Sequence, residues 1–376
     1  MTGWKPIPRF MFYHRIVRPM LFRMDPEWAH DQAIAWGDHA SRVPGLMRLS
    51  SRLHRVSDPR LNIEVAGIRF TNPLGLAAGY DKSGRAIRMM ASLGFSHVEI
   101  GSVSALPSTG NPAPRLWRLP ADEAICVHYG LPNDGATEVA NHLARQPIKV
   151  PLGINLVNTN HGVGAPAASA DEILEDYVTS ARTLKGHASY FMLNLSCPNT
   201  QDGRAFFDQP GHLRELLDRL ASIPIDVPCF LKLSPDWDDA AIDRMLETVD
   251  PFESVRGFMF NLSPSRRTGL STPREVWKDW PGAISGPPTV DWMDLRIANL
   301  YRRMDRQRYQ IIAAGGVRSA EDACRKLRSG ASLVQLLTAL IYQGPGVVRR
   351  INRGLLKMLK RDGISHLQDI VGVDAV

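Results

Sequence analysis

Short apolar runs alternate with longer amphipathic segments along most of the chain. Eight runs follow residue 72, and they lack the polar alternation of half-exposed strands, which fits parallel strands buried on both faces. Eight strands alternating with helices predict an α/β fold, a (β/α)8 TIM barrel. A doubly wound sheet is the alternative, but it does not predict so regular a count. The runs cover residues 74–78, 98–103, 150–156, 191–195, 229–233, 257–262, 311–314 and 333–337.

A different pattern precedes the barrel. Residues 61–70 alternate apolar and polar side chains around Ala66-Gly67, which predicts a β-hairpin. Residues 13–24 are amphipathic, Asp25-Pro26 has the residues that start a helix, and Pro44-Gly45 is expected to break that helix. We therefore expect an N-terminal helical region over residues 1–56 and the barrel over residues 57–376.

The chain is long enough to bury a large core, with 376 residues of which 44% are apolar. Its cysteines, Cys126, Cys197, Cys229 and Cys324, lack metal-site spacing, which argues against zinc or a disulfide framework and fits a reducing compartment. There is no apolar run of about 18 residues, so no membrane span is expected. Charges and prolines interrupt the first 23 residues, so no secretory leader is expected either.

Positive charge is concentrated near the N-terminus. The formal net charge is +7, and residues 1–60 contain ten Lys and Arg against five Asp and Glu, a local excess of +5. The excess predicts an anionic partner, and interleaved apolar residues favour a membrane surface over nucleic acid, for which no binding motif is present. A solvated helical face is the alternative. The interleaved residues are Phe10, Met11, Phe12, Tyr13, Met20, Leu21 and Phe22.

The segment 193–200, LNLSCPNT, is the most informative part of the sequence. A buried strand ends there in a polar turn that carries a thiol, Cys197, between two carboxamides, Asn194 and Asn199. A carboxamide both donates and accepts hydrogen bonds, so the pair can hold a planar, amide-rich ring while the thiol takes a proton from it. The alternative is a Pro-Asn turn beside a small buried hydrophobic residue.

Similar polar residues follow the other predicted strands. The carboxyl ends of barrel strands line one mouth, where the site of such a fold is built. These positions carry no paired carboxylates and no metal-binding cluster, which argues against glycosidase and metal-hydrolase chemistry. The residues at this mouth are Ala78, Gly79, Lys82, Ser102, Asn155, Lys232, Asn261, Gly315, Gly316 and Thr338.

The end of the seventh strand predicts a phosphate site. Gly315-Gly316 follows that strand and Gly330 precedes the eighth, and barrels often bind phosphate between these two loops. A tight turn is the alternative. A phosphate site with two lysines is compatible with flavin mononucleotide (FMN), whose reduced ring Lys232 could stabilise. A surface location is the alternative for Lys232.

With these residues assembled, the chain resembles the dihydroorotate dehydrogenases, and within them the membrane-associated, quinone-reducing class. The resemblance covers almost the whole chain. Its strongest motifs are FRMDPEWAH at residues 22–30, NPLGLAAGYDKSG at 72–84, LNLSCPNT at 193–200, IIAAGG at 311–316 and GASLVQLLTALIYQGPG at 330–346.

The resemblance implies an enzyme of pyrimidine biosynthesis that oxidises dihydroorotate with FMN and reduces a quinone. It implies a peripheral location at the cytoplasmic face of the inner membrane, with a cytoplasmic location as the alternative if the acceptor is not a quinone. Cys197 stands at the position of the general base that removes the proton from C5, and the N-terminal helices form an apolar entrance for the quinone. The implied pyrimidine contacts are Lys82, Asn194, Asn199 and Asn261. The implied FMN contacts are Ala78, Gly79, Lys82, Ser102, Asn155, Asn194, Lys232, Gly286, Gly316 and Thr338.

The chain departs from the family pattern at five positions. Cys197 replaces the serine of the quinone class and matches the soluble class. Val127 and Leu262 replace a substrate-binding Asn and a Thr, and each unpaired ligand group typically costs about 1–3 kcal/mol. Phe260 and Leu337 replace commoner polar or aromatic residues.

Two other hypotheses follow from these departures. His128, Asn133 or Asn158 could compensate for the lost polar partners. Alternatively, the chain is a paralogous FMN oxidoreductase that performs the same hydride chemistry on another heterocycle. A flavin-free binding barrel is a third hypothesis, against which the retained lysines and glycines argue.

Overall fold

The computed structural model describes residues 12–197, 206–209 and 211–375. Thirteen strands are present in this part of the chain. They are β1 (Ile63–Val65), β2 (Ile68–Phe70), β3 (Leu74–Leu76), β4 (His97–Val103), β5 (Leu116–Leu119), β6 (Ala124–Val127), β7 (Leu152–Leu156), β8 (Tyr190–Asn194), β9 (Cys229–Leu233), β10 (Val255–Phe260), β11 (Ala283–Ser285), β12 (Gln310–Ala313) and β13 (Ala331–Leu336).

Eight of these strands form a closed barrel, in the order β3-β4-β7-β8-β9-β10-β12-β13. Neighbouring strands pair in parallel all the way round, and β13 returns to pair with β3. Every predicted strand is confirmed, and its ends lie within two residues of the predicted ones. Closure of the sheet rules out the doubly wound alternative.

Helices surround this barrel and precede it. Residues Tyr13–Val17 form a π-helical turn ahead of the first α-helix. The α-helices of the described residues are α1 (Arg18–Phe22), α2 (Pro26–Ser41), α3 (Pro44–His54), α4 (Ile87–Ser92), α5 (Ala136–Ala144), α6 (Ala170–Leu184), α7 (His212–Ala221), α8 (Asp239–Val249), α9 (Arg274–Trp277), α10 (Val290–Arg303), α11 (Ala320–Arg328), α12 (Thr338–Gln343) and α13 (Val347–Arg361).

The inside of the barrel is filled by large side chains that require glycine opposite them. A Cβ on Gly153 would lie 2.3 Å from Cζ of Tyr190, and one on Gly75 would lie 2.0 Å from Nε2 of His97. Real Cβ atoms do not approach other atoms so closely, so these positions need glycine for space rather than for backbone freedom.

The predicted hairpin is confirmed and closes the amino end of the barrel. Strands β1 and β2 pair antiparallel around Ala66-Gly67, both with positive φ. Ile63, Val65 and Phe70 pack with side chains from the barrel interior in one apolar cluster. The opposite, carboxyl end is therefore the end at which a ligand can enter.

A small antiparallel sheet at the carboxyl end was not predicted. Strands β5 and β6 come from the long connection after β4, and β11 comes from the connection after β10. Strand β6 pairs with both, for example Cys126 with Trp117 and with Ile284. The sheet carries Val127 and Gly286 to the barrel mouth.

The N-terminal helices begin and end as the sequence predicts. The Asp25 carboxylate accepts hydrogen bonds from the backbone N–H groups of Glu27 and Trp28, at 3.0 and 2.9 Å, and Pro26 starts α2. Helix α2 ends before Pro44, which starts α3. Within the described part of the chain, every helix is too short or too polar to cross a membrane.

Candidate active site

A cavity of about 1480 Å³, counting its open mouth, lies at the carboxyl end of the barrel. Eleven of the thirteen residues predicted as site residues lie on its wall. Asn155 lies behind Ser102 instead, and its contact with a cofactor stays a prediction. Asn199 lies outside the described residues. The predicted residues on the wall are Ala78, Gly79, Lys82, Ser102, Asn194, Cys197, Lys232, Asn261, Gly286, Gly316 and Thr338.

The carboxamides at the strand ends form a directed chain of hydrogen bonds. Asn261 Nδ2 donates to Asn194 Oδ1 at 3.1 Å, and Asn194 Nδ2 donates to Ser102 Oγ at 3.0 Å. Ser102 Oγ in turn donates to Asn155 Oδ1. Because each side chain is oriented by the next, the polar atoms of the three residues on the wall, Ser102, Asn194 and Asn261, have fixed directions.

Cys197 is buried on the cavity wall, three residues after the end of β8. Its strand end is tied to the neighbouring strands. The Leu195 N–H and the Ser196 hydroxyl both donate to the Lys232 carbonyl, each at 3.1 Å, and Asn261 Nδ2 donates to the Ser196 carbonyl at 3.0 Å. These bonds hold the segment that carries the thiol.

Lys232 presents an ammonium group to the cavity. Burial lowers its pKa, whereas negative charge on Glu99 or Cys197 raises the pKa. Among the described residues, no acceptor lies within hydrogen-bond distance of its Nζ. Gln335 also lines the cavity, and its Oε1 has no partner in the described part of the chain. A donor and an acceptor at the wall therefore suit a heterocycle that has both a carbonyl and an N–H group.

Lys82 has a partner that the sequence did not indicate. Its Nζ lies 3.0 Å from Nε2 of His30 in α2 and 4.0 Å from the ring centroid of Tyr129. Burial lowers the pKa of Lys82 to about 8, although the charges of Asp31 and Glu27 raise it. The pKa of His30 is lowered well below its usual value, chiefly by burial, so an uncharged ring accepts from the ammonium.

The residues predicted for the phosphate end of a cofactor lie close together. Gly315 and Gly316 have φ angles of +95° and +74°, so the chain turns there in a conformation that favours glycine. A Cβ on Gly316 would lie 3.2 Å from the Gly286 carbonyl oxygen, and Gly286 in turn lies beside Thr338. Sequence reasoning missed Arg318, a cation on the same wall, although its position two residues after the glycine pair was a signal.

The residues that depart from the family pattern also line the cavity. Val127, Leu262, Phe260 and Leu337 all lie on its wall and make that part apolar. The three residues considered as compensating partners, His128, Asn133 and Asn158, are not among the lining residues. Asn133 is committed to its own loop, since it donates to Ser104 Oγ at 2.8 Å and accepts from the Gly135 N–H at 2.9 Å.

The first N-terminal helix packs against the barrel next to the cavity. Phe22 of α1 packs edge-on against Tyr342 of α12, with ring centroids 5.2 Å apart, and the Arg118 guanidinium lies 4.7 Å from the Phe22 ring centroid. Arg118 also donates to the Met24 carbonyl at 2.8 Å. Tyr342 and Ile341 line the cavity, so α1 lies directly behind this part of the wall.

The closed parallel barrel and its polar cavity place the chain in the class of (β/α)8-barrel proteins that bind ligands at the carboxyl ends of their strands. The family model for dihydroorotate dehydrogenase matches residues 60–359. The chain therefore belongs to the dihydroorotate dehydrogenase family.

Individual proteins resemble it over nearly its whole length. The dihydroorotate dehydrogenase (quinone) of Natronomonas pharaonis is 37% identical over 372 residues, which is 97% of this chain and 100% of that protein. The protein with the same description from Roseiflexus castenholzii is 38% identical over 371 residues, or 97% of each chain. The ligand-free crystal structure of the Eimeria tenella enzyme superposes with a TM-score of 0.79 at 28% identity, covering 93% of this chain and 99% of that one.

Proposed function

We propose that this protein oxidises dihydroorotate to orotate with bound FMN and passes the electrons to a quinone. The observation that carries the proposal is the placement of Cys197, Asn194, Asn261 and both lysines on the wall of one cavity in a member of this family. The relatives described above, named as quinone-dependent dihydroorotate dehydrogenases, support it. None of them points to another heterocycle.

The wall of the cavity fits FMN. The unpaired Gln335 Oε1 and the Lys232 ammonium match a ring edge that has an N–H group and a carbonyl. Gly286, Gly316 and Thr338 form a glycine-rich pocket for the phosphate, with Arg318 nearby. When bound, FMN supplies the hydride acceptor. The predicted FMN contacts of Ala78, Gly79, Lys82, Ser102, Asn155 and Asn194 belong to this proposal.

Cys197 is the proposed base. Its thiolate takes the proton from C5 of dihydroorotate, and the hydride leaves from C6, so that a C5–C6 double bond forms. The Lys232 ammonium favours the thiolate, since opposite charges stabilise each other, and this is the same interaction that raises the pKa of Lys232. Burial of the thiol excludes water from the proton transfer.

The pyrimidine ring is held by Lys82, Asn194, Asn199 and Asn261 in this proposal. Lys82 supplies a charge for the substrate carboxylate, and the amide chain supplies donors and acceptors of fixed direction for the ring. Val127 offers no polar partner on the wall, so we expect orotate to bind more weakly than it would with an amide there.

The N-terminal helices are the proposed membrane contact and the quinone entrance. Their outward surfaces expose large apolar side chains, among them Met20, Trp36 and Leu49, with Trp36 74% exposed. Exposed arginines lie among them, including Arg15 and Arg48. Apolar and basic side chains together favour binding to the surface of an anionic bilayer, and we place the protein peripherally at the cytoplasmic face of the inner membrane.

Anaerobic mixing of the purified, FMN-loaded protein with dihydroorotate tests the proposal. Rapid loss of the flavin absorbance at about 450 nm is expected, followed by its recovery when a short-chain quinone is added. A protein that keeps its FMN but shows no bleaching with dihydroorotate would contradict the substrate assignment. Bleaching without recovery would contradict only the quinone assignment.

A further inference from the structure

A carboxylate lies inside the barrel directly behind the cavity wall. Glu99 of β4 is completely buried, and it accepts three hydrogen bonds from neutral donors on three other strands. Asn155 Nδ2 donates to its Oε1 at 2.9 Å, and Tyr190 Oη and Gln335 Nε2 donate to its Oε2 at 2.9 and 2.8 Å. None of these three donors carries a charge, so they satisfy the hydrogen-bonding capacity of the carboxylate without neutralising it.

The carboxylate determines how the neighbouring amides are oriented. An ionised carboxylate only accepts hydrogen bonds, so Asn155 and Gln335 must turn their NH2 groups toward Glu99 and their oxygens away from it. The Asn155 oxygen then accepts from Ser102, which sets the direction of the whole chain through Asn194. The Gln335 oxygen is left as a buried, unpaired acceptor on a residue that lines the cavity, within the described part of the chain.

Glu99 also bears on the charge of Lys232. Burial lowers the pKa of Lys232, and the negative charge of Glu99 is the first of the two influences that raise it, Cys197 being the second. Two other titratable groups inside the barrel, His97 and Tyr190, stay neutral near pH 7. Burial lowers the pKa of His97 to about 3, and it raises that of Tyr190 well above its usual value.

We propose that Glu99 is a positioning residue, which fixes the donor and acceptor pattern that the cavity presents to the flavin ring and whose negative charge favours the ammonium form of Lys232 without forming an ion pair with it. It touches neither substrate nor cofactor and acts through Gln335, through Lys232 and through the Asn155–Ser102–Asn194 chain. This inference rests on the proposed binding of FMN in the cavity.

Two substitutions separate this role from a purely structural one. Glu99→Gln keeps the shape of the side chain and removes its charge. It also places an NH2 group where Glu99 has only acceptors, so the amide of Asn155 or of Gln335 must reverse its orientation. Tyr190→Phe is the matched control. It removes one hydrogen bond from the same buried carboxylate and the 3.2 Å hydrogen bond from Gln335 Nε2 to the Tyr190 hydroxyl. It leaves the charge and the hydrogen bonds of both amides to Glu99 in place.

The measurements use the FMN-loaded protein and each variant. For Glu99→Gln we expect FMN affinity to fall about tenfold, the effect of one mispaired buried polar group. A plot of the FMN midpoint potential against pH should change slope where Lys232 loses its proton. In Glu99→Gln this break should move to lower pH by about one unit, because loss of a negative charge lowers the pKa of a lysine. Tyr190→Phe should lower thermal stability but leave both quantities unchanged.

The outcomes that overturn the inference are separate from those that overturn the proposed function. A wild-type protein that binds no FMN refutes both. If the wild type binds FMN and Glu99→Gln leaves the affinity and the break unchanged, or Tyr190→Phe shifts them equally, only the positioning role is refuted. If Glu99→Gln does not fold, Gln335→Met is used to test the positioning role instead. It removes the unpaired acceptor and keeps Glu99, so unchanged FMN affinity in that variant refutes the role.

Discussion

The pH dependence of orotate binding gives a quantitative test of the role of Lys82. Burial lowers the pKa of this lysine to about 8, so its ammonium form predominates below that pH and is lost above it. The carboxylate of orotate stays ionised throughout this range. Affinity should therefore be constant below about pH 7.5 and fall as the pH rises through 8.

The size of the effect follows from this pKa. The protonated fraction of Lys82 falls from about nine tenths at pH 7 to about one tenth at pH 9, so the dissociation constant should rise about tenfold. A hydrogen bond to a charged group contributes about 1.5–3 kcal/mol, which is enough to support a change of this size. Asp31 raises the pKa of Lys82, so Asp31→Asn should move the break to lower pH.

Equilibrium titration of the FMN-loaded protein with orotate between pH 6.5 and 9.5, read from the flavin spectrum or by calorimetry, would measure the effect. Lys82→Met is the necessary control, because a thiolate at Cys197 would also repel an anion at high pH. We expect weaker binding and no break near pH 8 in Lys82→Met. A break that persists there, or a wild-type affinity that is constant across the range, would refute the reasoning.

Three further predictions concern different parts of the molecule. Cys197→Ala should slow bleaching of the flavin by dihydroorotate at least about a hundredfold with FMN still bound, as seen by stopped-flow absorbance, and normal bleaching would exclude the thiol as base. Asp294→Asn should lower the free energy of unfolding in urea by about 3 kcal/mol, because it leaves the fully buried Lys326, 2.7 Å away, without its counter-charge. The partly exposed Asp38, which pairs with the exposed Arg42, is the control: Asp38→Asn should cost less than about 0.5 kcal/mol, and equal losses would contradict this account. Trp36→Glu should reduce sedimentation with anionic vesicles while dihydroorotate still bleaches the flavin, and unchanged sedimentation would argue against this membrane surface.

The barrel could be predicted because each of its strands is buried on both faces. A continuous apolar run such as residues 311–314 is expected in a strand that is buried on both faces, and eight predominantly apolar runs at regular intervals favour a closed barrel. The positions at the mouth followed from the same reasoning, since a polar residue in the last part of each run must lie at the carboxyl end of its strand. This is why Ser102, Asn194, Lys232 and Asn261 could be assigned to one site.

The small sheet over the mouth could not be found in this way. Strand β6 pairs with β11, which joins Ile125 to Ser285 across about half of the chain, and neither strand is longer than four residues. Such short segments have no periodicity that distinguishes them from loops. Glu99 was missed for a related reason. Its strand was predicted, but the donors that surround it come from three other strands, and no local pattern shows that they converge.

The two lysines of the cavity depend on carboxylates that lie in different parts of the molecule. Glu99, inside the barrel, raises the pKa of Lys232, whereas Asp31 and Glu27, both in α2, raise the pKa of Lys82. His30 of the same helix contacts the Lys82 ammonium, and Glu27 pairs with Arg115, which directly precedes β5 of the small sheet, at 2.6 Å. The N-terminal region therefore contributes to the electrostatics of the cavity, in addition to the entrance that we propose for it. A change in how α2 docks would alter the charge of a lysine that holds the substrate in our proposal.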